Sequence, residues 1–585
     1  MNKYKIFITA CIALVAFSGC YDLDRFPYDQ VSEGTFWKNE TQVNQGMMGV
    51  YAALRVDDAF GLKFAIDNIS DMGVGYDPQG YGPVLLGTYT GRTDLIKKSW
   101  KSLYDGVMRS NLAIRKIADA TELTPEAKSK YVAEAKFLRA VFYFQLYNLY
   151  GGVPLYDETI NQSTDYNTLL KARNTDKETV DFIIKDLTDI INGGSLPVKW
   201  ETANTGRATL GAAYALRGKV YLYTKEYQKA SQDFEEVITD SKGKGYGYKL
   251  YNNYADLFKP EGDESSEMIF AIQNAGGVGT DYGMPMTFYM GTRSSFGSCW
   301  NNVMPSVKLV NEYELKDGKK FDWEDYIPGF TDVTNVGQII RDETFVSTLK
   351  SDGKAVDTYP KNKDILLSMY ENRDPRMAST VLLPYTMYNG WVSNKARTCE
   401  FVVARNVAPN ESNGFVRING AYTESYVFRK FVAEGNMNGG INNRAHTPIN
   451  FPLIRLADVY LMYAECQNEL DKQGIAVEYI NKVRQRPSVN MPAVNSGPAW
   501  LKASTKEEVF DRIQHERAIE LAAEGHRWDD LRRWKLAKTL IPGNVYGFTG
   551  KRLLTKVFID RDMLWPIPGE EMDINPNLVN NPGWQ

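Results

Sequence analysis

Three histidines, His446, His515 and His526, are all that 585 residues offer for imidazole chemistry. None is spaced from a cysteine or another histidine as a metal site requires. His515 and His526 stand in a segment dense in charge, where Arg517 and Glu520 are three residues apart, and read as solvated or scaffold-holding. Asp529 and Asp530 are adjacent on an expected helix and point in different directions, which makes a poor acid/base pair. Glycoside hydrolysis needs two carboxyl groups ~5–9.5 Å apart across a cleft, and no motif here presents such a pair. The stretch holding Glu261, Asp263, Glu264 and Glu267 has oxygen ligands that suit calcium, but lacks the spaced, glycine-turned loop of an EF-hand. A plain acidic turn is the leading reading, a structural calcium ion the alternative, and no other cofactor is implied. Gly73-x-Gly75 is followed by Pro78 in place of a third glycine, so a dinucleotide loop fails. No nucleophile elbow or phosphate-binding loop occurs. The expectation is a protein that binds without catalysis.

What could bind is an aromatic surplus, 12% of residues, with 36 tyrosines. A pyranose face packs its C–H groups flat on a ring, and its rim hydroxyls need amide, carboxylate or backbone partners. Aromatics on helices, such as Tyr214, are core. Those in irregular stretches are the ligand candidates: Tyr76, Tyr81 and Tyr89 before Trp100, then Tyr282, Tyr289, Phe296, Trp300, Trp323 and Tyr326. Trp300 beside Asn301 and Trp323 beside Asp322 lead the set. Two or three ring contacts of ~1 kcal/mol each beyond area burial, with area burial and a few hydrogen bonds, give roughly 5–7 kcal/mol. That is a dissociation constant from about 200 µM to a few µM. A net charge of −4 argues against nucleic acid.

The elements that must hold these rings are helical. In "YALRGKVYLYTKEYQKASQDFEEV", Tyr214, Gly218, Tyr221, Ala230, Phe234 and Val237 fall at tetratricopeptide (TPR) spacing, with Arg217 where the consensus has Leu. "YLMYAECQNELDKQGIAVEYINKV" repeats the offsets with Tyr460, Ala464, Ala476, Ile480 and Val483, and with Gln467 for the second aromatic. The segment from Tyr131 to Leu149 is apolar on two faces, as in a helix buried between neighbours, and Gly151, Gly152 and Pro154 stop it. Thr505 and Glu508 spell a capping box. Between Asp240 and about His446, Gly, Asn, Pro and aromatics replace helical periodicity. Because repeats stack as neighbours, this insertion must leave the frame and return. The fold class expected is mostly α: a TPR-like superhelix with a large irregular, loop-rich insertion carrying short strands.

The chain begins with Lys3 and Lys5, then an apolar run from Ile6 to Phe17. The run is shorter than the ~18 residues that span a bilayer and suits a secretory signal. Cys20 follows Ser18 and Gly19 and resembles the lipidated cysteine of a bacterial lipobox, with Phe17 in place of the usual Leu. Two or more acyl chains anchor stably where one does not. Asp22 and Asp24 resemble the surface-export signal of Bacteroidetes lipoproteins. With Cys11 in the signal, only Cys299, Cys399 and Cys466 remain, too few and too widely spaced for a disulfide framework.

Together these pieces resemble the SusD/RagB family of outer-membrane nutrient-binding lipoproteins. The resemblance rests on Cys20 with "YDLD", on "SEGTFWKNE", "AEAKFLRAVFYFQLYNLYGGVPL", "NFPLIRLADVYLMYAE", "INKVRQR" and "HERAIELAAEGHRWDDLRRW", and above all on "LWPIPGEEMDINPNLVNNPGW" with its Asn575-Pro576 and Asn581-Pro582 steps. It implies a lipid-anchored protein on the surface of a Gram-negative cell. It further implies a SusC-like TonB-dependent transporter as partner and a glycan as ligand, captured without cleavage. A peptide-binding RagB-like lid is the alternative. The expected division is a signal peptide over 1–19, a lipidated tether over 20–34 and helical scaffold over 35–240. A ligand-binding insertion follows over 241–445, then TPR-like helices over 446–540 and a closing extended segment over 541–585.

Overall fold

The computed structural model describes residues 36–75, 80–160, 166–276, 282–420 and 422–584. Cys20, with the whole expected signal and tether, and Tyr76 lie outside them. No helix among the described residues is long and apolar enough to cross a membrane.

Among the described residues, nine helices form the frame: α1 (Glu40–Ala52), α2 (Asp94–Asp119), α3 (Pro125–Tyr150), α4 (Asp176–Gly193), α5 (Leu210–Tyr223), α6 (Tyr227–Thr239), α7 (Leu456–Glu469), α8 (Gln473–Arg484) and α9 (Lys506–Glu520). Their ends follow local chemistry. Thr124 caps α3 ahead of Pro125, and Gly151 at φ 76° stops it. Both Thr175 with Glu178 and Thr505 with Glu508 form reciprocal capping boxes. The two apolar faces of α3 are covered by α2 and α4, and Phe137, Leu138, Phe142 and Leu146 on it have no exposure.

The TPR spacing is realised as close helix approach. A Cβ on Gly218 would lie 2.7 Å from the Phe234 ring, so α5 and α6 touch where only hydrogen fits. Arg217 forks onto Asp233 across the same pair at 2.7 and 2.8 Å. Helix α6 then packs on α7, although the intervening lobe separates them in sequence. Gln467 donates to Ser231 at 2.7 Å across that contact.

The lobe between α6 and α7 carries most of the short strands, and every ladder in the described residues is a two-stranded antiparallel pair. Phe451–Arg455 pairs with Met268–Ile272 and runs directly into α7. Gly73–Val74 pairs with Met304–Pro305, binding the N-terminal part to the lobe. Met387–Val392 and Lys395–Glu400 form a hairpin whose turn residues, Ser393 and Asn394, have φ of 51° and 60°, the left-handed pair that a tight hairpin turn favours.

Fully buried ions fasten lobe to frame. Arg376 meets Asp374, Glu516 and Glu520, while Arg455 meets Glu267, Glu520 and Glu524. Arg486 bridges Glu267 and Glu520. Lys430 meets Glu524 at 2.6 Å, and burial lowers its pKa to about 8 despite that partner. The closing segment docks on the end of α3. Trp565 N–H donates to the Leu149 carbonyl at 2.7 Å, and the Asn581 amide donates to the carbonyls of Tyr150 and Trp565.

Candidate functional site

Groups that might have carried catalysis are each engaged structurally. Asp529 pairs with Lys63 and Arg532, and Asp530 with Arg517 and Arg533. His526 is buried 3.4 Å from Lys219, and burial holds its pKa well below the imidazole value. His515 faces Glu312 at 3.4 Å and His446 faces the Gly283 carbonyl at 2.9 Å. Glu267 is taken up by two arginines and Asp263 accepts from the Asn450 N–H, so the acidic stretch does not converge. No metal-ligand cluster occurs among the described residues. Cys299, Cys399 and Cys466 are buried free thiols.

The best-formed aromatic surface grows from the short helix Met286–Met290. The loop after it folds back, with Trp300 N–H donating to the Phe288 carbonyl at 2.9 Å and Asn302 N–H to the Tyr289 carbonyl at 2.6 Å. Gly297, Ser298 and Asn301 take φ of 73°, 61° and 42° to make the reversal. The Trp300 ring is thereby held at the surface, 36% exposed, with Phe288 tilted against it at 4.6 Å. Arg444 lies over the Phe288 ring at 4.6 Å and within 6.0 Å of Trp300, a favourable cation–π arrangement. Beside it, Phe296 stacks with Trp391 of the hairpin at 6.2 Å and 30°, and Trp391 N–H donates to the Ser294 carbonyl. Tyr282 is exposed with Arg55 over its ring at 5.5 Å. A cleft of about 640 Å³ lies along the same hairpin strand, lined by Asn389, Arg429, Glu434, Met437 and Asn438.

Of the residues singled out from sequence, Phe296 and Trp300 therefore share this surface, and Tyr282 is exposed beside Arg55. Tyr289 and Asn301 support it from beneath. Tyr289 is buried, which pushes its pKa up to about 12. The Asn301 amide is consumed by both backbone groups of Asn419, at 2.7 and 3.2 Å, which holds the 419 loop and leaves that side chain no part in ligand contact.

The other candidates are placed elsewhere, away from the Trp300 surface. Trp323 is 5% exposed and stacked on Phe330 at 3.9 Å and 15°, with its Nε1 donating to Asn311. Its edge lines a second cleft of about 530 Å³ with Asp322, Lys308, Asn311, Tyr546 and Lys556. Asp322 caps the turn Trp323–Asp325, and the Tyr326 hydroxyl accepts from Asn372. Tyr81 is buried on the helix Tyr81–Leu85. Tyr89 has no exposure and meets Trp584 edge-on at 4.7 Å, because the closing segment folds over it. Phe288, Trp391 and Arg444 went unread in the sequence. Trp391 had a signal, a Trp one residue after Asn-Gly in a turn-rich stretch, whereas Arg444 had none.

Residues 266–584, more than half of the chain, match the model of the SusD family. The chain belongs to the SusD family. Residues 23–222 match a second model, described as starch-binding associating with outer membrane. This SusD-family chain is 24% identical over 606 residues to a SusD-like protein of Formosa agariphila, covering 99% of this chain and 97% of that one. Its fold is similar to that of a SusD-like protein from Bacteroides fragilis, with a TM-score of 0.74, 23% identity, and 96% and 100% of the two chains covered. It is also similar to surface glycan-binding protein A from Bacteroides thetaiotaomicron in complex with laminarihexaose. There the TM-score is 0.62, identity is 20%, and coverage is 93% and 99%. The helical frame with its loop-rich insertion is the architecture these SusD-like structures share.

Proposed function

We propose that this SusD-family chain is a cell-surface lipoprotein that captures oligosaccharide without cleaving it and passes it to a SusC-like TonB-dependent transporter. The observation that carries the binding reading is the Trp300 surface. An indole is held at the surface by a hydrogen-bonded reversal, backed by Phe288 and Arg444, and flanked by the Phe296–Trp391 stack. Such rings offer flat apolar area whose conformation is already fixed, so little entropy is lost when a sugar stacks. The starch-binding description of the N-terminal match and the laminarihexaose bound to a structural neighbour support a glycan. The engagement of every histidine and of the Asp529–Asp530 pair in structural contacts supports capture without chemistry. Anchoring through acylated Cys20, exposure on the outer membrane and delivery to the transporter complete the reading.

A soluble form beginning after Cys20, probed on a glycan and peptide array, tests it. Binding to a glycan that weakens about tenfold or more in Trp300→Ala, an effect on the scale of ~1.4 kcal/mol, is the expected result. Binding to peptides alone, or release of new reducing ends from a bound polymer, would overturn it. Mass spectrometry of the native N-terminal peptide tests the anchor, and an unacylated Cys20 would remove it.

A further inference from the structure

We propose that the polymer taken by this surface is anionic, its sugars bearing a carboxylate or a sulfate ester; this rests on the glycan reading above. The observation is a pair of guanidiniums. Arg444 donates through Nη1 to the carbonyls of Gly297 and Ser298, at 2.7 and 2.5 Å. Arg293 donates through its own Nη1 to the same Ser298 carbonyl at 3.4 Å. Two cations thus converge on one neutral oxygen, two residues before Trp300 in the chain. Among the described residues, neither has a carboxylate within ion-pair distance of 4 Å.

Elsewhere in the lobe, Arg376, Arg405, Arg417 and Arg429 each meet a carboxylate, while Arg341 and Arg373, which do not, each stand alone and donate to backbone carbonyls. Arg444 and Arg293 are only half-buried, and Arg444 lies within 6.0 Å of the Trp300 ring on which a sugar would stack. A guanidinium has five donors in a planar fork that fits a carboxylate or a sulfate. In each of these two, one nitrogen is spent on backbone. The protein is acidic overall, at −4, so the unmatched pair is a local feature and not a share of a general basic excess. Like charges held together without a counter-ion repel, and an anionic substituent on the ligand relieves that repulsion.

The soluble form is titrated by calorimetry with polygalacturonate, alginate, chondroitin sulfate and carrageenan as anionic arms, and with laminarin, amylose and xylan as neutral arms. Each is measured at about 50 and about 500 mM NaCl. Polygalacturonate and alginate offer carboxylates alone, carrageenan sulfates alone and chondroitin sulfate both, so the arms separate the two groups. Binding to an anionic arm is expected, roughly tenfold weaker at the higher salt, and about tenfold weaker in each of Arg293→Gln and Arg444→Gln with unchanged thermal unfolding. Arg293→Gln guards against disturbance of the reversal, since its single long contact is the easier to lose. Salt-insensitive binding to neutral arms alone, abolished by Trp300→Ala, would overturn the anionic proposal and leave the glycan reading standing. Anionic binding indifferent to both arginine substitutions would also overturn it. Silence in every arm would overturn both.

Discussion

Arg376 of the lobe and Glu516 of α9 form an ion pair of 2.6 Å in which neither side chain has any exposure. Such a pair is costly to desolvate, and its net gain over an apolar pair is small, but removing one partner strands the other charge. Here the stranding would be compounded, because Glu520 also relies on Arg376 at 2.9 Å, and Arg484 shares Glu516.

Arg376→Ala is therefore expected to lower stability by about 3–5 kcal/mol. Differential scanning calorimetry should show the lobe and the helices α8 and α9 losing stability together. A variant that melts like the parent would show that these ions do not tie the two parts.

Trp323→Ala and Trp300→Ala should separate. The buried ring of Trp323, stacked on Phe330 and near Phe345, is expected to cost about 3–5 kcal/mol when removed. Trp300, exposed on one face, should leave the melting temperature nearly unchanged while ligand affinity falls about tenfold or more, roughly 1.4 kcal/mol. Parallel melting and calorimetric titration of the two variants check this.

Gly218→Ala places a methyl 2.7 Å from the Phe234 ring. The frame cannot absorb it without parting α5 from α6, and overpacking of this kind costs about 1–3 kcal/mol. Ala at Gly243, where nothing lies within 4 Å but φ is 62°, isolates backbone strain from steric crowding for comparison in the same melts.

Asp67 gives a pH signature. Burial raises its pKa to about 7, against opposing backbone hydrogen bonds from Gly525 and Ala523. The folded state then holds a proton that the unfolded state, with an ordinary carboxyl near ~3.9, releases. Its contribution is favourable at pH below about 4 and is lost as pH rises to about 7. Asp67→Asn has no such loss, so the variant should gain on the parent in melting temperature as pH is raised through that interval. A constant difference would show that Asp67 ionises normally.

Local features were legible in the sequence. The box of Thr505 with Glu508 involves four consecutive residues, and the Gly218–Phe234 approach follows from a repeat with fixed offsets. Trp300 was legible because its turn-rich setting also governs its exposure. Trp323 was not, because its burial depends on Phe330, Phe345 and the packing around them. Tyr89 was not, because its cover is Trp584 at the other end of the chain. The burial of Glu516, Glu520 and Glu524 was not legible, because it depends on the arginines that arrive from the lobe. Arg293 and Arg444 find each other through a backbone carbonyl, and no pattern of side chains announces that.

The contact of α6 with α7 across Gln467 and Ser231 closes a loop of more than two hundred residues. Pairings so distant along a chain form slowly, because the intervening segment must be gathered in before the contact repays it. One flank of α6 therefore stays uncovered until the whole lobe has been drawn together, and the frame is completed late in folding.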